Sequence, residues 1–139
     1  STVIEGQLLW EPTPERKRAS EVVRYMRWLE REKGLVFSDY ESLWQWSIRE
    51  LEAFWESIWQ FYGMKASAPY RRVLDARRMP GAKWFEGARL NFAEHILRHR
   101  SDEHPALIAF SELRPKTEIN WAELERTVGA VAAGLKAPA

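Results

Sequence analysis

The run Ala-Leu-Ile-Ala-Phe at residues 106–110 is the feature that most limits what this chain can fold into. Five apolar residues without polar alternation are typical of a strand that is buried on both faces inside a larger sheet. A turn at residues 112–116 and a second short strand at 117–119 complete a predicted β-hairpin. A hairpin alone is only marginally stable in water. We therefore expect further strands to come from additional polypeptide, or from a second copy that pairs with the exposed edge.

Helical spacing of apolar residues dominates the chain before residue 64. It predicts one helix from Thr13-Pro14 to Gly34, because Thr caps helices, Pro suits their first turn and Gly ends them. Residues 38–41 and 47–50 each have the form of a capping box and predict two further helices that meet at a corner. The second of these ends at Gly63 and carries on one side Leu51, Phe54, Trp55, Ile58 and Phe61.

Residues 64–89 are less regular and predict a long loop with at most one short strand, around 72–75. Pro80-Gly81 is a turn, and the bulky neighbours Trp84 and Phe85 require burial. Residues 91–94 and 120–123 have the form of helix starts capped by asparagine. The predicted buried faces of these two helices consist of Leu90, Ala93, Ile96 and Leu97, and of Leu124, Val128, Val131 and Leu135.

The resulting fold class is mostly α with a short β-hairpin. We assign residues 1–103 to a helical N-terminal region. Residues 104–139 are the first hairpin and helix of a larger α/β domain that this sequence does not complete.

Composition excludes several classes of protein. A net charge of +1 gives no general case for a nucleic-acid or anionic-membrane partner. The chain has no cysteine, which removes disulfides and thiolate chemistry. No apolar run approaches the roughly 20 residues of a membrane span, and a cytoplasmic location is expected. Positive charge is concentrated in residues 65–100, with nine Lys or Arg against three Asp or Glu.

Few residues suggest chemistry. His95 and His99 have a helical spacing that can hold zinc, with Glu94, Asp102 and His104 nearby, but solvated side chains on a helix face are the favoured interpretation. The pairs Arg71/Arg72 and Arg77/Arg78 would suit a polyanion or a coenzyme phosphate, although solvated charges or salt bridges within the fold are favoured. Gly81-Ala-Lys83 lacks the spacing of a phosphate loop. We therefore assign no catalytic, cofactor-binding or metal-binding residue.

Eight tryptophans in 139 residues leave a choice between core and recognition surface. Trp is large and needs a partner for its indole N–H, so aromatic clusters inside the fold are favoured. The alternative is a stand-alone, Trp-rich helical module that binds another protein. The tryptophans on which this choice depends are Trp44, Trp46, Trp55 and Trp59.

The stretch Trp-Phe-Glu-Gly-Ala-Arg-Leu-Asn-Phe-Ala-Glu at residues 84–94 resembles a pattern near the N-terminus of acetyl- and acetoacetyl-CoA synthetases. Gly87-Ala88 followed by Leu90-Asn91 is similar to the acetoacetyl branch. The opening Leu-Trp-Glu-Pro at residues 9–12 and the tryptophan-rich residues 40–55 resemble the same branch. The similarity covers nearly the whole chain.

This resemblance implies an N-terminal piece of an AMP-forming acid–thiol ligase of the adenylate-forming superfamily. Such enzymes use ATP and Mg²⁺ to convert a carboxylate to an acyl-adenylate and then transfer the acyl group to CoA. Lipid and ketone-body metabolism and a small-molecule substrate are implied for the full-length enzyme. The family's phosphate loop, adenylate motifs and C-terminal lysine have no match here, so we expect this chain alone to be inactive.

The resemblance also implies a partner, which is the rest of the parent enzyme, with a homodimer of the fragment as a further expectation. Nucleic acid and membrane are not expected partners. The residues that match the family pattern are expected to be structural, namely Trp84, Phe85, Gly87, Leu90 and Asn91.

Overall fold

The computed structural model of the protein describes residues 4–98 and 100–136. Among these it contains six helices and two antiparallel strand pairs. The chain divides into two compact units. The first comprises Ser1–Met64 and Tyr70–Ala88, and the second Lys65–Pro69 and Arg89–Ala139, each as far as it is described. The predicted mostly α chain with a short hairpin is confirmed. The predicted domain boundary after residue 103 stays a prediction.

The first unit begins with two helices where the sequence predicts one. Helix α1 spans Pro14–Arg18 and is capped by Thr13, whose hydroxyl accepts from the Arg16 backbone N–H. Helix α2 spans Glu21–Lys33 and is capped by Ser20, whose hydroxyl accepts from the Val23 backbone N–H. A single helix through this region was the wrong prediction, because Ser20 at this joint starts a second helix. Gly34 ends α2 at φ 68°, as predicted.

Helix α3 spans Tyr40–Arg49 and helix α4 spans Leu51–Phe61. The prediction of two helices with a corner between them is confirmed, but both predicted capping boxes are wrong. Asp39, and not Ser38, caps α3 in a reciprocal pair with Ser42. Ser47 lies inside α3, where its hydroxyl donates to the Trp44 carbonyl. Glu50 alone joins the two helices, and it gives α4 no side-chain cap.

The core of the first unit forms where α2, α3 and α4 meet. It consists of Tyr25, Leu29 and Leu43, and Leu29 is completely buried. The Tyr25 hydroxyl is hydrogen-bonded to the buried Ser57 hydroxyl, which satisfies both polar groups. Burial raises the pKa of Tyr25, while the bond to Ser57 acts in the opposite direction. Partly buried side chains surround this core, namely Met26, Trp28, Leu35, Phe37, Trp46, Phe54, Ile58 and Phe61.

Strand β1, Arg72–Leu74, agrees with the single strand predicted around 72–75. The structure adds strand β2, Trp84–Glu86, which the sequence analysis assigned to a loop. The two strands pair antiparallel, with Arg72 opposite Glu86 and Leu74 opposite Trp84. A three-residue strand is too short for alternation to identify it, so its pairing partner is what defines it.

The second unit carries helix α5, Phe92–Leu97, the strands β3, Leu107–Ala109, and β4, Thr117–Ile119, and helix α6, Trp121–Lys136. The predicted hairpin is confirmed, with Ile108 opposite Glu118. Asparagine caps both helices as predicted. The Asn91 Oδ1 accepts from the Glu94 N–H and the Asn120 Oδ1 from the Glu123 N–H.

The apolar side chains of the second unit remain open to solvent. None of its described residues is fully buried. The predicted buried face of α5 is therefore wrong for this chain, since Leu90 is 53% exposed and Ile96 is 39% exposed. The stripe of α6 is likewise exposed at Val131 and Leu135. The residues are apolar and correctly spaced, but the described residues of this unit supply no layer that covers them.

No described helix combines the length and the apolar character needed to cross a bilayer.

Truncating the most buried side chain should destabilise the first unit. Leu29→Ala should lower the free energy of unfolding by about 3 kcal/mol, because it removes buried methyl groups and leaves a cavity. Urea unfolding followed by tryptophan fluorescence measures this change. Leu8→Ala is the matched control, since Leu8 is 73% exposed and the same truncation there should change stability by less than about 0.5 kcal/mol.

Candidate functional site

The family-like residues Trp84, Phe85 and Gly87 lie on and after β2, and the β1–β2 hairpin packs against one face of α4. That face consists of residues that are three or four apart in α4 and therefore share one side of the helix. Its members alternate between carboxylate and indole side chains, namely Glu52, Trp55, Glu56 and Trp59.

Aromatic rings in edge-to-face and tilted arrangements form the contact between helix and hairpin. The ring centroids of Trp55 and Trp84 lie 5.7 Å apart, and the two rings are arranged edge to face. The ring centroid of Trp59 lies 4.6 Å from that of Phe85 and 5.2 Å from that of Tyr70. The centroids of Tyr70 and Phe85 are 5.3 Å apart. Such pairs add about 0.5–1.5 kcal/mol each beyond the area they bury. We call these five residues the aromatic seam.

Two polar contacts border the aromatic seam. The Tyr70 hydroxyl donates to the Glu56 carboxylate at 2.8 Å, and the Arg77 guanidinium donates to the Glu52 carboxylate at 2.8 Å. Burial, followed by the bond to Glu56, raises the pKa of Tyr70. The bond from Arg77 lowers the pKa of Glu52. Both carboxylates of the α4 face thus bind α4 to the residues on either side of β1.

The backbone after Trp84 adopts conformations that restrict which residues fit. Phe85 has φ +48°, which is rare for a bulky residue and is held here by the rings of Trp59 and Tyr70. Gly87 has φ +96°, and a Cβ at this position would lie 3.4 Å from the Arg71 side chain. Glycine is therefore favoured at residue 87 by the backbone conformation, whereas a Cβ would make only ordinary contact with the Arg71 side chain.

An aspartate organises the loop between the two strands, residues 75–83, which we call the tip loop. The Asp75 Oδ1 accepts from the Lys83 backbone N–H at 2.8 Å, and its Oδ2 accepts from Arg78 at 2.6 Å. Arg78 also donates to the Gly81 carbonyl at 3.0 Å. The Lys83 N–H, followed by Arg78, lowers the pKa of Asp75.

Each arginine of the two pairs has a carboxylate partner in the fold. Arg71 and Arg72 both pair with Glu86, while Arg77 and Arg78 pair with Glu52 and Asp75. This confirms the salt-bridge interpretation of the pairs. The sequence contained the signal, since acidic residues occur close by at 75 and 86, but only the hairpin register shows which arginine each one faces.

The remaining pattern residues lie in the second unit. Asn91 caps α5, and Leu90 is 53% exposed. The structural role expected for all five pattern residues agrees with this placement and stays a prediction.

The histidine pair is only partly described. His95 lies on α5, half-buried, with its Nδ1 3.3 Å from the Arg98 guanidinium. His99 lies outside the described residues. Within the described part of the chain, no three His, Cys, Asp or Glu side chains are grouped as metal ligands.

The tryptophans divide into two groups. Trp46 contacts Phe37 and Phe54 at the core, and Trp55 and Trp59 belong to the aromatic seam. The preference for aromatic clusters inside the fold is confirmed for Trp46 and Trp59, whereas Trp44 stays 42% exposed and Trp55 stays 41% exposed beside Trp84.

Comparison with known proteins gives one consistent result. Residues 40–96 match the family described as acetyl-coenzyme A synthetase N-terminus. An acetoacetyl-CoA synthetase of Danio rerio is 34% identical over 137 residues, which are 96% of this chain and 20% of that protein. The acetoacetyl-coenzyme A synthetase of Rhizobium meliloti is 32% identical over 93% of this chain and 20% of its own length.

A solved structure agrees with these relatives. The acetoacetyl-CoA synthetase from Streptomyces lividans superposes with a TM-score of 0.83 at 40% identity, covering 94% of this chain and 21% of that one. The chain thus spans about a fifth of the length of the curated relatives it matches. The resemblance to the acetoacetyl branch is confirmed, and so is the expectation that the chain is part of an α/β enzyme.

Replacing Gly87 should strain the hairpin. Gly87→Ala should cost about 1–2 kcal/mol, because alanine would have to adopt the left-handed backbone conformation that Gly87 has at φ +96°. Gly129→Ala is the opposite control. A Cβ at that position in α6 meets nothing within 4 Å, so alanine should stabilise the helix by up to about 1 kcal/mol. Equal effects of the two variants in thermal unfolding would contradict this account of Gly87.

The pH dependence of unfolding tests the role of Asp75. Because the pKa of Asp75 is lowered in the folded state, its carboxylate stabilises the fold above the unfolded value of about 4, and this contribution is lost as the pH falls through the folded pKa. Asp75→Asn should therefore be less stable than the wild type at neutral pH, with the difference shrinking as the pH falls below about 4. Urea titrations at a series of pH values measure this, with Asp102→Asn as the control at an exposed aspartate. If the difference in unfolding free energy between the wild type and Asp75→Asn did not change with pH, the charge of Asp75 would not contribute to stability.

Proposed function

The chain is homologous to the N-terminal part of acetoacetyl-CoA synthetases, which are acyl-CoA ligases, and on this premise we propose that its parent protein converts acetoacetate to acetoacetyl-CoA. In the first step a carboxylate oxygen of acetoacetate attacks the α-phosphorus of ATP and expels pyrophosphate. In the second, the CoA thiol attacks the carbonyl carbon of the acyl-adenylate and AMP leaves. Mg²⁺ would neutralise phosphate charge during the first step.

The observation that carries the proposal is the extent of the similarity. It runs through 96% of the chain in sequence and 94% in structure, rather than through the motif at residues 84–94 alone. Binding of ATP, participation in lipid and ketone-body metabolism and a cytoplasmic location are parts of the same proposal. They rest on the relatives' acetoacetyl-CoA synthetase identity.

Within that enzyme we assign this chain a structural role. Its most specific residues hold the hairpin against α4 through the aromatic seam, and the arginines that would be the first candidates for phosphates are engaged by carboxylates. We assign the groups that bind ATP, Mg²⁺ and CoA to the rest of the enzyme, because the family's phosphate loop and adenylate motifs have no match in this sequence. The stand-alone interaction module draws no support from the comparisons.

The partner of the second unit, on the same proposal, is the rest of the parent enzyme. In β3, Leu107 is 49% exposed and Ile108 is 50% exposed, and Phe110, just after the strand, is 77% exposed. Further strands of the large domain would cover this surface and pair with its edge. In the isolated chain a second copy would take their place. No nucleic acid or membrane partner is proposed.

Purified full-length enzyme should release pyrophosphate from ATP only when acetoacetate is present, and should form acetoacetyl-CoA when CoA is added. Chain 1–139 assayed in parallel should release none, because it lacks the groups assigned to nucleotide binding. A coupled pyrophosphate assay with mass spectrometry of the thioester measures both, and light scattering of the chain reports whether it dimerises.

An assay with acetate in place of acetoacetate distinguishes an acetyl-CoA synthetase from an acetoacetyl-CoA synthetase. A full-length enzyme that ignores acetoacetate would overturn the proposed substrate. Pyrophosphate release by chain 1–139 alone would overturn its structural role.

A further inference from the structure

The tip loop presents an apolar side chain to solvent. Met79 is 94% exposed. A single exposed apolar residue needs no explanation by itself. Met79 differs because the loop that carries it is fixed at both ends.

Hydrogen bonds fix the tip loop without the help of Met79. Asp75 bonds the Lys83 N–H and Arg78, Arg78 bonds the Gly81 carbonyl, and the Asp75 N–H donates to the Lys83 carbonyl at 3.1 Å. The backbone that presents Met79 to solvent is therefore fixed in advance. Presetting a surface in this way lowers the entropy lost when a partner binds.

A depression of about 380 Å³ lies beside Met79 within the first unit. Leu51, Leu74 and Trp84 give it an apolar lining, and Arg77 and Arg78 lie at its edge. The apolar lining suits a hydrophobic side chain, and methionine is a residue that adapts its shape to a partner.

The two arginines keep capacity for a further carboxylate. Arg77 donates to Glu52 through one terminal nitrogen and stays 55% exposed, and Arg78 stays 50% exposed beside Asp75. A guanidinium has five N–H donors, so one carboxylate partner does not exhaust it. The segment Tyr70–Ala88 carries five Lys or Arg against two Asp or Glu, and Glu52 and Glu56 of α4, which bond to Arg77 and Tyr70, leave an excess of one positive charge. The charge of this surface therefore favours an acidic partner.

We propose that the tip loop is a docking surface for an acidic segment with an apolar anchor, supplied by the part of the synthetase polypeptide outside this chain. The apolar side chain would enter the depression against Met79, and a carboxylate would meet Arg77 and Arg78. The relatives are about five times as long as this chain, so most of such an enzyme is available to supply the segment. This inference rests on the proposed function, since it requires that larger enzyme.

Methionine oxidation tests the proposal without a mutation. Dilute hydrogen peroxide should oxidise Met79 of chain 1–139 rapidly, because exposure controls this reaction. In the full-length enzyme the rate at Met79 should fall by at least about tenfold, since oxidation must await local opening. Peptide mass spectrometry follows Met79 together with Met26, which packs against the core and should react slowly in both proteins. An equal rate at Met79 in both proteins would overturn the proposal.

Variants of the arginines test the carboxylate. In the full-length enzyme Arg77→Gln should restore part of the oxidation at Met79. Arg72→Gln, which breaks a salt bridge on the same hairpin without lining the depression, should not. Identical oxidation rates at Met79 in the two variants would contradict the proposed contact between a carboxylate and Arg77. Protection of Met79 in chain 1–139 that grows with protein concentration would instead identify a second copy as the occupant and overturn it.

The acetoacetate assay on the same preparation separates the two ideas. An active enzyme with unprotected Met79 refutes only the docking surface. Protected Met79 in an enzyme that ignores acetoacetate supports the docking surface and refutes only the proposed activity.

Discussion

The contact of Trp59 with Tyr70, just before β1, and with Phe85, in β2, is the interaction on which the docking of the hairpin to α4 depends. It brings a helix and a strand pair together although neither β1 nor β2 exceeds three residues. Strands that short have too few ladder hydrogen bonds to be stable alone. The ring contacts of Trp59 stabilise the strand pair in place of the missing ladder hydrogen bonds. The rare backbone conformation of Phe85 is the local cost of pointing its ring at Trp59.

Much of the first unit could be predicted from the sequence, because its helices obey local rules. Spacing of apolar residues located α2, α3 and α4, and Gly34 ended α2 where a left-handed residue was needed. The errors in the helix starts occurred at Ser20, Asp39 and Ser47, where several polar residues compete to be the cap. Local pattern fixes the existence of a helix more firmly than its first residue.

The hairpin could be only half predicted, for a physical reason. Its second strand is defined by Leu74 opposite Trp84 and by rings on α4, and these contacts join residues far apart in sequence. The four arginines illustrate the same limit, since sequence showed an excess of positive charge but not that Glu52 and Glu86 would engage part of it. In the second unit the apolar residues of α5 and α6 lie on helices as predicted, but their predicted burial was wrong. A stripe such as that of α6 reports what a residue is suited to contact, while burial depends on what lies beside it.

Glu50 is the sole joint between α3 and α4, and this has a consequence for how the family can vary in length here. The joint offers almost no slack, and because an α-helix turns by about 100° per residue, an insertion or deletion that shifted the sequence of α4 by one residue against the core would rotate the face made by Glu52, Trp55, Glu56 and Trp59 by nearly a third of a circle. The rings of Trp55 and Trp59 would then point away from the hairpin, although the hairpin itself would be unchanged. Tolerated changes of length should therefore be found in the tip loop or beyond Gly63, and the distance from Leu43 to Trp59 along the chain should be invariant among functional relatives.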